Sequence, residues 1–388
     1  MLAYKKKLNK KQLQIKVVQS FEELNFHANK WNQLTFEAPQ QLPMSSIAWV
    51  SSYFEHYLED DESWACLFAY DGDELVGVMP LVIKLRRLLG FKFALLGTHR
   101  SAQTCSIDLL TKQGEENIVI PFLIDAAIEY FPYQVGIIFD RLPENSPTIG
   151  VLEKLSGFTL TEELDSVGAF LRIRDNFAEY RGSLSGNFRS NLNKASKKLH
   201  KLPDVKFSFL SENKATAEYL TQLIEVEAKS WKKDAGTAII DSPTAIAFYQ
   251  SLTQRLSNAG FLEWHILEAE GKTIAINLAV RLKRLILIWK LAYDPAYSKC
   301  SPGSMLLEEA VKLACESEDI DEINLMTDHS WYDNWKMEKR LYYNLRLYSH
   351  KPIPFIFGYL TTSTYQIIRS CKYKLLSLSR KIFSFSQS

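Results

Sequence analysis

Two stretches far apart in the chain follow one plan. "WACLFAYDGDELVGVMPLVIKL" (64–85) reads as strand, Asp-Gly turn, strand, and "LEWHILEAEGKTIAINLAVRL" (262–282) reads the same way around Gly271. Both are runs of β-formers about a hairpin signal. Helical stretches precede each: 44–58 in the first half, 214–231 and 243–259 in the second. A strand, a helix and a strand follow each. In the first half these are "FKFALLG", 115–130 and "QVGIIFD"; in the second, "LILIWKLAY", 303–316 and "EINLMTD". A repeated unit of this kind predicts a mixed-sheet α/β fold built from two tandem copies. The boundary falls near 172–180, after the strand-like "GAFLRIR".

The 388 residues suit two domains. A formal net charge of +1 leaves no overall nucleic-acid signature, so no nucleic-acid partner is expected. No apolar run reaches the roughly 18 residues that a spanning helix needs. The start "MLAYKKKLNKKQLQ" is basic but has no apolar stretch behind it, so a cytoplasmic location is expected. Five scattered cysteines, with no CxxC pair or His/Cys cluster, predict neither a disulfide framework nor a metal site.

The halves differ after the third strand of each copy. The first continues "THRSAQTCSIDLL"; the second continues "DPAYSKCSPGSMLLEEA". There Ser301 is placed to cap a helix, and Pro302 sits where its missing N–H costs nothing. Gly303 permits close approach to the backbone, and Lys299 adds a positive charge. First-turn amides without helical partners suit a pyrophosphate. On these residues alone two readings stand: a capped helix that binds nothing, and an anion site.

In context the chain resembles the GNAT acetyltransferase superfamily, in its CelD-like and BioF-like branch, to about residue 345. The resemblance rests on the arginine-containing "FAEYRGSLSGNFRSNLNKASKKLHKL" (177–202), on "AKSWKKDAGTAIIDSPTAIAFYQSL" with Trp231, on "AINLAV", and on "LAYDPAYSKCSPGSMLLEEA". In the first half "PMSSIAWVSSYFEHY", "ELVGVMPLV" and "FALLG" fit the branch's degenerate N-terminal domain. The resemblance implies a degenerate GNAT-like domain over 1–176 with no cofactor loop, a GNAT acetyltransferase domain over 177–350, and a tail over 351–388. It implies acetyl-CoA or another acyl-CoA as co-substrate. Pantetheine would lie along "WKLAY", at Leu291, Ala292 and Tyr293, and the pyrophosphate at Lys299, Ser301, Gly303 and Ser304. The acceptor implied is a small amine, such as an amino sugar of envelope or exopolysaccharide metabolism.

GNAT enzymes often protonate the leaving thiolate with a tyrosine past the second splayed strand, and here Tyr332 follows "EINLMTD". Relatives often pair that tyrosine with lysine; this chain has Asp333. Asp328 and His329, at the expected strand end, are candidates to accept the amine's proton. Arg189 could meet an anionic group bidentately, or lie on a solvated basic face. Trp231, Trp331 and Trp335 could line an acceptor pocket or pack in the core, and Cys300 reads as a small structural residue.

Residues 351–388 contain no Asp or Glu, and from Ile368 to Phe385 apolar residues recur at spacings of three and four. Such a basic amphipathic helix suits either an anionic membrane, contacted through 359–388, or its own domain. Two rivals to the acyl-CoA enzyme remain: a FemABX-like transferase using aminoacyl-tRNA, and a non-catalytic scaffold of polysaccharide synthesis.

Overall fold

The structure is a computed structural model that describes residues 4–8, 11–88, 90–174, 176–211, 216–230, 233 and 236–361. The first series of elements begins with strands β1 (Tyr4–Leu8) and β2 (Lys11–Val18) and helices α1 (Phe21–Phe26), α2 (Ala28–Glu37) and α3 (Ile47–His56). The hairpin β3 (Glu62–Asp71) and β4 (Glu74–Leu88) follows, then β5 (Phe91–Gly97), β6 (Leu110–Thr111) and α4 (Glu116–Tyr130). β7 (Gln134–Pro143), α5 (Pro147–Leu152) and β8 (Phe158–Arg172) end it. The second series begins with helices α6 (Phe177–Ser183) and α7 (Gly186–Leu199), strand β9 (Lys206–Leu210), and helices α8 (Thr216–Ala228) and α9 (Pro243–Asn258). It continues with the hairpin β10 (Leu262–Ala269) and β11 (Lys272–Leu282), then β12 (Leu285–Tyr293) and α10 (Pro302–Glu316). β13 (Glu322–Asn324) and β14 (Glu338–Ser349) complete it.

Local chemistry accounts for these elements. Glu270 and Gly271, alone between β10 and β11, both have positive φ, 55° and 69°, the type I′ geometry that matches strand twist. Ser242 accepts a hydrogen bond from the Ala245 N–H at 3.1 Å, and Pro243 occupies the first position of α9.

The strands form one continuous sheet in the order β1-β2-β3-β4-β5-β7-β14-β8-β13-β12-β11-β10-β9, with β6 beside β4. β5 pairs in parallel with β7, and β12 with β13. Helices α4 and α10 make those two crossovers. The series are joined by exchange: β14 inserts between β7 and β8, while β8 pairs with β13. Neither series therefore completes its half of the sheet from its own residues.

Helix α4 covers one face of the first half, packing Phe122, Leu123 and Ala127 on β3, β4 and β6. On the same side of the second half, α10 packs Leu306, Leu307 and Val311 on β10 to β12. The opposite face carries a core common to both series, where α3 lies against α9 around Trp49, Phe248, Tyr249 and Trp264. Arg255 bridges these helices to Glu55 at 2.8 Å.

One expectation changes. "EINLMTD" is a strand only over Glu322–Asn324, because Met326 turns into the left-handed region at φ 57°. Pro354–Leu360 is a π-type helix docked on β7 and β14, with Phe357 stacked on Phe93 at 4.8 Å. A Cβ at Gly358 would stand 1.8 Å from the Val135 carbonyl oxygen, so contact there is backbone to backbone. The 368–385 stripe lies outside the described residues. No helix among the described residues is long and apolar enough to cross a membrane.

Candidate active site

The two parallel strands of the second half part company midway. β12 pairs with β13 only at Leu285, Ile286 and Leu287, opposite Glu322, Ile323 and Asn324. Beyond that, β12 runs on to Tyr293 paired with β11 alone. The other strand turns toward β8, where the Leu325 N–H donates to the Ala169 carbonyl at 2.9 Å. A bulge bends β12 at the same place: Leu278 faces Lys290 and Ala279 faces Ile288, which leaves Trp289 as the extra residue. The result is a V-shaped opening with one unpaired edge of 288–293 along it. Leu291, Ala292 and Tyr293 lie on this edge.

In the first half, β5 and β7 also run parallel, to Gly97 opposite Ile138. There Thr98 closes the gap: its N–H donates to the Ile138 carbonyl and its hydroxyl accepts from the Asp140 N–H, both at 2.9 Å. Helix α4 behind it opens on Glu115 and Glu116, a poor start for holding phosphate.

Helix α10 begins beside the open V. Asp294 accepts from the Ala296 N–H at 3.0 Å and starts a tight turn, Pro295–Cys300, which leads to Ser301. Ser301 occupies the N-cap position but adopts φ 46°, ψ 57°, and its side chain makes no capping bond. The expected hydroxyl cap is thus absent, and a non-glycine residue held in the left-handed region costs of order 1 kcal/mol. Among the described residues, neither the Gly303 nor the Ser304 N–H meets an acceptor; the Met305 N–H reaches the Ser301 carbonyl at 3.0 Å. A Cβ at Gly303 would find only Tyr293, with Cδ1 at 3.4 Å. No positive φ demands glycine there, so the chain's own geometry leaves this space empty. These groups fit a pyrophosphate: two free amides, a helix start, and clearance above the backbone.

Helix α7 packs across the Pro295–Cys300 turn and against α10. Its Arg189 is half-buried, and its Nε is buried without a hydrogen-bond partner among the described residues. A buried guanidinium N–H without an acceptor, on a helix packed against the α10 start, suits an anion. Lys299 is exposed, with no carboxylate partner among the described residues.

Tyr332 is 3% exposed within the core that α7 and α10 share. Burial pushes its phenol above the ordinary value, against a hydrogen bond to Thr327. Asp328 does not present a free carboxylate, since it pairs with Lys339. His329 is exposed, its ring 5.5 Å from that of Tyr332. Both lie past the end of β13 rather than on it. Trp335 is core, 1% exposed and edge-on to Phe188 at 5.1 Å, whereas Trp331 is 39% exposed. The Cys300 thiol donates to the Tyr297 carbonyl at 3.0 Å, and burial raises its pKa, which fits a structural role. Trp231 lies outside the described residues.

The other side of the sheet holds a cavity of about 200 Å³ that the sequence did not reveal. Leu287, Asn324 and Met326 line its inner end, at the point where the strands separate. Arg340 meets Glu322 bidentately, both bonds 2.8 Å, and Arg284 pairs with Asp321, so its charges are matched. Gln40, whose Oε1 is buried without a partner, and Asn145 come from the first half.

The sequence model of the acetyltransferase (GNAT) domain matches residues 186–337. This stretch is a GNAT acetyltransferase domain. It contains α7, the bulged β12, the α10 start and Tyr332, and it gives the chain a GNAT-family acyltransferase domain. The solved structure of FemX covers 84% of this chain and 96% of its own, at 11% identity and TM-score 0.58. A conserved protein of unknown function from Bacteroides thetaiotaomicron VPI-5482 covers 83% and 96%, at 12% identity and TM-score 0.50. At such identities the likeness is one of fold, and it extends beyond the GNAT domain over most of the chain. Among curated proteins none matches.

Proposed function

We propose that the protein transfers an acyl group, acetyl in the first instance, from acyl-CoA to a primary amine. One observation carries this reading: the V between β12 and β13 opens directly onto a helix start with two free amides and a glycine that the fold itself does not require. Acyl-CoA bound there supplies the thioester carbonyl. The backbone edge of 289–293 holds the pantetheine, the Gly303 and Ser304 amides hold the pyrophosphate, and Arg189 and Lys299 add charge. The Tyr332 hydroxyl, kept protonated by burial, gives its proton to the departing thiolate. Exposed His329 takes the proton of the attacking amine; Asp328, tied to Lys339, is the weaker candidate.

The acceptor enters from the opposite face. Its cavity offers matched charges and side-chain amides, which suit a neutral polyhydroxylated body such as an amino sugar. The chain divides into 1–176, which supplies Gln40 and Asn145 to this cavity, 177–350, which supplies the chemistry, and the tail. The first half takes no acyl-CoA, because Thr98 closes its splay and its helix start is acidic. The basic tail contacts anionic membrane; equal vesicle sedimentation with and without 362–388 would contradict this.

Calorimetry with CoA and acetyl-CoA, followed by thiol release with a panel of amines and amino sugars, tests the whole. Single-site binding and amine-dependent thiol release are expected. Failure of both CoA and acetyl-CoA to bind overturns the reading in favour of a scaffold or an aminoacyl-tRNA donor.

A further inference from the structure

Strand β10 carries two ionisable side chains where both faces of the sheet are covered. Glu263 and His265 alternate with Trp264 and so share one face, while Trp264 enters the core on the other. Glu263 is 7% exposed and His265 is 0% exposed. His265 Nε2 lies 3.0 Å from Glu263 Oε1, which satisfies one atom of each. The other two, His265 Nδ1 and Glu263 Oε2, are buried with no partner among the described residues. Leaving such groups unpaired costs about 1–3 kcal/mol each. Both residues line a cavity of about 420 Å³ between β9, β10, β11 and the last turns of α10.

We infer that this cavity is a second small-molecule site, which takes a primary ammonium group carried on a compact apolar body. The unpaired atoms define the chemistry. An ionised carboxylate only accepts, so the second Glu263 oxygen calls for a donor. The site therefore presents a buried carboxylate oxygen without a donor and asks for a cationic N–H group. A hydroxyl brings no charge, and no group of three or more metal-ligating side chains exists among the described residues. The location agrees, because the C-terminal end of α10 is the negative end of its dipole, and Glu316 lies on the rim. Arg281, also on the rim, is neutralised by Asp319 at 2.7 Å. The apolar body has Phe209, 4.7 Å from the His265 ring, and Leu313, which is 40% exposed. The α10 residues that line this cavity, Ala310 to Glu316, lie about 10–20 Å along the helix from the Gly303 amides, so it is not part of the acyl-transfer site.

The test is calorimetric titration of the full chain with n-butylamine, n-butanol and butyrate, for wild type, Glu263→Gln and Leu313→Trp. CoA titrations run in parallel report folding. Saturable binding of n-butylamine, at least tenfold tighter than n-butanol and absent for butyrate, is expected. Glu263→Gln should weaken it at least tenfold and Leu313→Trp should block it, with CoA affinity unchanged in both. No saturable amine binding, equal binding of the alcohol, or amine binding that survives Leu313→Trp each overturns the inference. If Glu263→Gln loses CoA binding as well, the Leu313→Trp result decides, since that side chain sits at the rim.

Discussion

Trp289 and Lys290 are consecutive on β12, yet both reach Tyr249. The indole N–H donates to the Tyr249 hydroxyl at 3.1 Å, and the Lys290 ammonium lies 5.3 Å from the ring centroid. Neighbours on a regular strand face opposite ways; the bulge at Trp289 puts both on the side away from α10. The distortion that opens the V therefore also ties β12 to α9, and through the edge-on contact of Trp289 with Trp49 at 5.5 Å, to the first half.

Trp289→Phe keeps a ring at this junction but removes the hydrogen bond to Tyr249. Urea denaturation should show a loss of about 1 kcal/mol, the usual net worth of one such bond. A stability equal to wild type would mean that the Tyr249 contact does not brace the bulge.

Arg189→Gln should weaken CoA by roughly tenfold or more, in line with the 1.5–3 kcal/mol of a charge-assisted hydrogen bond. The loss should shrink in high salt. Stability should hold, because the buried Nε serves no partner among the described residues. A variant that unfolds more easily but binds CoA normally would make Arg189 a packing residue.

Tyr332→Phe should lower turnover by roughly 10²–10⁴-fold with CoA affinity unchanged, if chemistry limits the rate. Burial raises the phenol's pKa, so any decline due to Tyr332 should be centred above the ordinary tyrosine value of about 10. Unchanged turnover in the Phe variant would return Tyr332 to the core.

Two buried groups near Met44 and Ser45 should give an unusual pH profile. Burial lowers the pKa of His99 to about 3 and raises that of Asp108 to about 6, the latter against hydrogen bonds from Ser146 and Thr148. Between pH 3 and 6.5 the unfolded chain protonates His99 while the folded chain does not, so stability falls with falling pH by about 1.4 kcal/mol per unit. Between pH 3.8 and 6 the folded chain protonates Asp108 first, which gives the opposite slope. The two contributions cancel across roughly pH 4–6. His99→Phe should uncover the Asp108 slope, with stability rising as pH falls through that window. Parallel wild-type and variant curves would contradict the assignment.

The repeated hairpins, the crossover helices and the α10 start were legible in the sequence because each has a local cause: apolar runs, a Glu-Gly turn, a Pro-Gly helix start. The exchange of β8 and β14 was not, since pairing β14 with β7 joins residues some 200 apart and leaves no local pattern. The bulge at Trp289 hid inside "LILIWKLAY", which reads as a uniform strand. Asp328 looked free because Lys339, its partner, comes from the next strand. No local pattern marks Glu322, Arg340, Gln40 or Asn145; only the packing of the two halves brings them to one cavity.

The most direct test of the acyl-CoA reading is the dissociation constant for CoA of wild type and Gly303→Val, with stability measured beside it. Valine suits a helix slightly better than glycine, and its Cβ meets only the Tyr293 ring, which is 43% exposed and free to shift. Stability should thus stay within about 0.5 kcal/mol of wild type. The branched side chain would occupy the space above the Gly303 and Ser304 amides, and losing even one charge-assisted contact there raises the dissociation constant at least tenfold. A Gly303→Val protein that binds CoA as tightly as wild type would contradict the assignment of the α10 start as the pyrophosphate site.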